Sequence, residues 1–179
     1  TSNVSGLSLG SNVFQWSLNN GTCDSPVTDQ MIVTVYNGNL STVNAGPDGS
    51  ICAPLSTYNL QGTAPALPAT GLWSQISGPS GASINSPTSP TSQITNLISG
   101  VYVFRWTIQN GTCGTTVFDE MTLNVFNASD QISNAGPDQE FCFSGISVVN
   151  AAMAANAASA PTSGAWTIIS GGGNIVNPS

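Results

Sequence analysis

Residues 100–126 read GVYVFRWTIQNGTCGTTVFDEMTLNVF. In the first half Tyr102, Phe104, Trp106 and Ile108 recur at period two, with Val103, Arg105 and Thr107 between them. That alternation is the mark of a strand with one buried face. Asn110-Gly111 is a turn signal, because both residue types tolerate positive φ. The return strand alternates again, with Met121, Leu123 and Val125 on one face. The stretch therefore predicts a β-hairpin. It also has a twin. Phe14-Gln15-Trp16, Asn20-Gly21-Thr22-Cys23 and Asp29-Gln30-Met31 recur as Phe104-Arg105-Trp106, Asn110-Gly111-Thr112-Cys113 and Asp119-Glu120-Met121, each pair 90 residues apart. Self-similarity at a fixed period indicates tandem units that stack on one another.

Working outward, Asn44-Ala45-Gly46-Pro47-Asp48 opens one unit and Asn134-Ala135-Gly136-Pro137-Asp138 the next, again 90 residues on. The chain divides into 1–43, the C-terminal half of a repeat; 44–133, one complete β-sandwich repeat; and 134–179, the N-terminal half of the next. Strands are expected near 2–7, 12–19, 29–36, 57–61, 72–76, 83–85 and 93–97, besides the central hairpin. Trp166-Thr167-Ile168-Ile169-Ser170-Gly171 answers Trp73-Ser74-Gln75-Ile76-Ser77-Gly78 at an offset of 93, which implies about three inserted residues, expected in the alanine-rich 151–160. That segment favours helix by propensity. Its counterpart at 62–69 contains two prolines, so a loop is expected.

Short strands with turn signals every 8–12 residues predict an all-β fold of tandem immunoglobulin-like sandwiches of about 90 residues. The expected core is Leu60, Trp73, Ile76, Ile84, Ile94, Leu97, Phe104, Trp106, Met121, Leu123 and Val125, with Phe14, Trp16 and Trp166 in the equivalent positions of the flanking units. Leu97-x-x-Gly100-x-Tyr102 has the form of a tyrosine corner, in which the Tyr102 hydroxyl bonds back to upstream backbone. Asn12 stands at the matching position of the first unit, so the corner is expected to be lost there.

Charged residues make up only 5% of the chain, with one Arg, no Lys, no His and a net charge of −7, against roughly 25% charged in ordinary domains. Nucleic acid is excluded as a partner, since phosphate neutralisation needs Lys and Arg. No apolar run approaches the roughly 20 residues of a membrane span, so membrane insertion is not expected. Without His or Lys the common bases and nucleophile activators are missing. Asp119 and Glu120 are adjacent and would point to opposite strand faces as solvated charges, so no catalytic residue is expected. No cofactor is expected either. A structural calcium at Asp48 or Asp138 would need more oxygen ligands than the neighbouring sequence offers, and a turn role fits these residues better. The tryptophans alternate in phase with core positions rather than forming a sugar-binding platform, whereas Tyr36 and Phe126 fall off the core phase as exposed contact candidates. Five Asn-x-Ser/Thr triplets begin at Asn3, Asn20, Asn39, Asn110 and Asn127. The four cysteines occupy equivalent places, Cys23 with Cys113 and Cys52 with Cys142, which favours disulfides and an oxidising extracellular compartment.

With these residues in view the unit resembles the polycystic-kidney-disease-like (PKD-like) branch of the immunoglobulin superfamily. The motifs are Asn44-Ala45-Gly46-Pro47-Asp48, Trp73-Ser74-Gln75-Ile76-Ser77-Gly78-Pro79 and Gly100-Val101-Tyr102-Val103-Phe104. More narrowly, it is similar to the repeats of giant gliding-motility-associated (SprB-like) surface adhesins of Bacteroidota, which pair an AGPD…C opening with an NGTC hairpin. The W-x-F-G-D-G turn usual in PKD domains is absent. The resemblance implies secretion, attachment at the cell surface and a structural or adhesive role in a long filament or stalk, with partners that are copies of itself or adjoining repeats, head to tail, or a surface polysaccharide. The alternative is a carbohydrate-binding accessory module. In an immunoglobulin-like sandwich the last turn and the start of the first strand lie near one pole, so Cys52–Cys113 is the expected disulfide within a domain. Cys142 and Cys23 are then expected to pair with adjoining repeat material. The rival is Cys23–Cys52 with Cys113–Cys142.

Overall fold

The computed structural model describes the chain except for residues 1, 20, 23–24, 41, 131, 143–144, 146–149 and 178–179. Regular structure consists of strands and two short 3-10 turns, with no α-helix among the described residues. The strands are β1 (Gly10–Leu18), β2 (Val27–Val35), β3 (Gly49–Cys52), β4 (Tyr58–Asn59), β5 (Thr70–Ser77), β6 (Ser83–Ile84), β7 (Gln93–Thr95), β8 (Gly100–Gln109) and β9 (Thr116–Phe126). A four-stranded sheet, β3-β9-β8-β5, faces a three-stranded sheet, β4-β7-β6, while β1 and β2 pair as a separate hairpin. All pairings are antiparallel except β3 with β9. The expected strand near 2–7 does not form, and the alanine-rich 151–160 has no helix.

The alternation of β8 and β9 is what closes the sandwich. Tyr102, Phe104, Trp106, Ile108, Met121, Leu123 and Val125 are all buried, together with Trp73, Leu60, Ile94 and Leu97 from the other strands. The Trp73 and Trp106 rings lie 5.1 Å apart. Their indole N–H groups donate to Pro90 O at 3.1 Å and Thr63 O at 2.9 Å, so neither carries an unpaired donor into the core. Trp106 lies flat over Gly71, where a Cβ would overlap the indole ring. Ile76, expected inside, is 45% exposed. Ile76 shares a strand face with Leu72 and Ser74, opposite to Gly71 and Trp73, so plain alternation along β5 points it away from the core.

The tyrosine corner is present. The Tyr102 hydroxyl donates to Ile98 O and accepts from Ile98 N–H, both at 3.1 Å. The expected loss of this device in the first hairpin is corrected. Asn12 Nδ2 donates to Ser8 O at 2.9 Å, and Asn12 Oδ1 accepts from Ser8 N–H at 3.3 Å. A carboxamide holds both a donor and an acceptor, so it meets the same two backbone groups that a hydroxyl does. Only the ring's packing is missing.

Two changes test this core. Gly71→Ala is expected to lower stability by about 1–3 kcal/mol through overpacking against Trp106. Tyr102→Phe is expected to cost about 1–3 kcal/mol by leaving Ile98 N–H and C=O without their partner. Urea unfolding of each variant checks both.

Candidate functional site

Asp48 and Asp119 each hold a backbone N–H. Asp48 Oδ1 accepts the Thr122 N–H at 2.7 Å, and Asp119 Oδ2 accepts the Ala45 N–H at 2.9 Å. The two bonds clip the 44–48 opening along β9 from opposite directions and deliver the chain into β3 in register. Asp119 is therefore half-buried and engaged, not the solvated charge expected. Glu120 pairs with Arg105, its register partner, at 2.5 and 2.8 Å, and the guanidinium lies 4.0 Å from the Phe118 ring centre. Among the described residues no group of three or more His, Cys, Asp or Glu side chains could hold a metal.

The cysteines depart from expectation. Cys52, Cys113 and Cys142 are free and exposed, and Cys23 lies outside the described residues. The expected Cys52–Cys113 bond is not made, for a geometric reason. β3 runs parallel to β9, with Gly49 opposite Leu123 and Cys52 opposite Phe126, the last residue of β9. Cys113 closes the 3-10 turn Gly111–Cys113 ahead of Thr116, the first residue of β9. The length of β9, roughly 33 Å at the usual rise per residue, separates them, whereas a disulfide needs Cα atoms about 4.4–6.8 Å apart. The pole assignment failed because the opening clip uses the first half of β9 and pushes Cys52 to the far end.

The turn itself is longer than a two-residue loop. Asn110 has φ −109° and only Gly111 and Gly114 take positive φ, at 51° and 68°. Asn110 serves through its side chain. It is 2% exposed, and its Nδ2 donates to Asn37 O at 2.6 Å. Tyr36 packs directly on Gly111. The end of the first hairpin is thus seated on the last turn of the sandwich, and Leu40 and Val43 of the connection pack against the core. With Asn110 buried in this joint, its sequon offers no accessible amide.

The first hairpin copies the central one but is uncovered. Phe14 pairs with Met31 and Gly10 with Val35, as Phe104 pairs with Met121 and Gly100 with Val125. Yet Trp16 is 68% and Met31 60% exposed, where Trp106 and Met121 are 0% and 2%. The expectation that Trp16 is buried is corrected, and Phe14 is only half-buried. Phe14, Trp16, Met31 and Val33 line an open apolar cleft with residues 2–4. The last segment copies the other half. Asn134 Oδ1 accepts the Gly136 N–H at 2.8 Å and Asn134 O the Asn156 N–H at 3.0 Å. Asn44 does the same with Gly46 at 2.6 Å and Thr63 at 2.8 Å. Gly136 lies against Ala154 as Gly46 lies against Gln61. The extra residues therefore precede Ala154. Trp166 is half-buried rather than in a core, and a Cβ on Gly164, the counterpart of Gly71, would meet nothing.

The architecture is that of an immunoglobulin-like β-sandwich of the PKD kind, centred on one domain. Residues 45–125 match the family model described as K319L-like, PKD domain. Among solved structures, the chain is similar to the PKD domain from KIAA 1837 protein, with 23% identity, 58% of this chain and 98% of that chain covered, and a TM-score of 0.44. It is also similar to the PKD domain of human KIAA0319, with 23% identity, coverage of 55% and 87%, and a TM-score of 0.42. A third similarity is to an endo-fucoidan hydrolase of glycoside hydrolase family 107, with 16% identity, 67% of this chain but only 19% of that chain covered, and a TM-score of 0.36. No curated protein is significantly similar in sequence.

Because Cys52 and Cys113 are unpaired and exposed, replacing both with Ser is expected to change monomer stability by less than about 0.5 kcal/mol. Denaturant titration with and without reductant checks this, and peptide mapping of the monomer should recover no Cys52–Cys113 link.

Proposed function

We propose that this chain is a structural or adhesive repeat segment of a long extracellular surface filament or stalk, with no chemistry of its own. The observation that carries it is the β1–β2 hairpin, which has the register of β8–β9 and the same apolar phase but no opposing sheet. Burying a large apolar side chain is worth about 1.5–3 kcal/mol, so four open positions in phase are a strong drive for completion. The 134–177 segment carries the opening clasp, Trp166 and the vacant ground above Gly164, which are the parts the hairpin lacks. A second copy's 134–177 segment is therefore the occupant of the hairpin face, with Trp16 seated over Gly164 as Trp106 is seated over Gly71. Repetition of that contact does not close and yields a head-to-tail stack.

PKD domains are typically extracellular structural or adhesive modules. The resemblance of the AGPD…C and NGTC motifs to the repeats of cell-surface adhesins of gliding Bacteroidota supports this reading. No helix among the described residues is long and apolar enough to cross a membrane.

Sedimentation velocity over a range of concentrations, in reductant, tests the stack. Association that grows with concentration is expected. Trp16→Asp should abolish it, and Gly164→Ala should weaken it while leaving monomer stability unchanged. A monomer at all concentrations, or Trp16→Asp assembling like the parent, would overturn the reading. A glycan array that returned a ligand bound through Trp16 would favour the carbohydrate-binding alternative.

A further inference from the structure

The seam between β2 and the central sandwich brings two thiol positions together. Tyr36 follows β2 and packs on Gly111, two residues before Cys113, and the Asn110 side chain ties the same turn to Asn37 O at 2.6 Å. Tyr36 is the counterpart of Phe126, and in the central unit the residue opposite Phe126 is Cys52. The strand that would lie parallel to β2 in the first unit must therefore carry its cysteine opposite Tyr36.

In the head-to-tail stack proposed above that strand is the 134–142 segment of the preceding copy, and its cysteine is Cys142. The polar clips have counterparts on both sides. Asp138 stands where Asp48 does and would meet Ile32 N–H as Asp48 meets that of Thr122. Asp29 stands where Asp119 does and would meet Ala135 N–H as Asp119 meets that of Ala45. This register sets Cys142 of one copy against Tyr36 of the next, and Tyr36 already touches the turn that holds Cys113. Both thiols are free and exposed.

We propose that Cys142 of one copy forms a disulfide with Cys113 of the next, so that each joint of the stack is locked covalently. The inference rests on the head-to-tail reading of the hairpin face. Formation of the bond removes two protons and two electrons from the two thiols. A low-molecular-weight disulfide such as oxidised glutathione accepts them in two exchange steps. The Cys113 thiolate attacks it and releases one glutathione thiolate. The Cys142 thiolate then attacks the mixed disulfide and releases the second. Cys52 of the same copy cannot take the place of Cys142, since it sits at the opposite pole from Cys113.

The test uses the full 179-residue chain with Cys23→Ser and Cys52→Ser. Equal amounts of 14N- and 15N-labelled protein are incubated with a glutathione redox buffer, then read on a non-reducing gel and by peptide mass mapping. A ladder of covalent multimers is expected, with Cys113 and Cys142 peptides joined across isotopes. Adding Cys142→Ser should abolish the ladder while leaving the reversible association seen by sedimentation in reductant. Reversible association without cross-linking would overturn the disulfide and leave the stack standing. Cross-links confined to one isotope would overturn the intermolecular pairing, and absence of association in reductant would overturn the stack itself.

Discussion

The parallel pairing of β3 with β9 is the constraint on which the rest of the molecule depends. It makes the chain enter the sandwich beside the β8–β9 turn and leave it at the far end of β9. Two carboxylate-to-backbone bonds, from Asp48 to Thr122 and from Asp119 to Ala45, hold that entry in place. Because entry and exit lie at opposite poles, units placed in series extend a line rather than folding back. The same polarity keeps Cys52 and Cys113 apart and leaves each exposed at its own pole.

The joint is built from parts that a lone domain would not need. Asn110 has a buried amide whose partner is a carbonyl of the preceding segment, and Gly111 has no side chain where Tyr36 must sit. Leu40 and Val43 add apolar contact along the connection. These interactions limit bending between hairpin and sandwich, and stiffness of this kind is what a filament segment requires. The acidic, Lys-free surface contributes weak mutual repulsion and little else.

The two flanking segments show how local and global order separate. The β1–β2 hairpin forms with its full register although its apolar face is open, because strands close in sequence pair through local contacts. The 134–177 segment keeps its opening clasp, since those bonds close over about twenty residues, but forms no strands among its described residues. A half-sandwich thus retains what is local and loses what depends on the opposite sheet.

Period-two alternation in residues 100–126 was enough to read the central hairpin, its buried face and the class of fold, because side-chain period in a strand is a direct image of which face is apolar. The motif Leu97-x-x-Gly100-x-Tyr102 announced the corner that the structure contains. What alternation cannot carry is anything that depends on three-dimensional register. The Asn12 amide that stands in for a tyrosine hydroxyl and the placement of Cys52 and Cys113 at opposite poles were decided only by the tertiary structure. Each turns on which backbone group lies beside which side chain across strands distant in sequence, and that relation is set by pairing, not by composition or spacing.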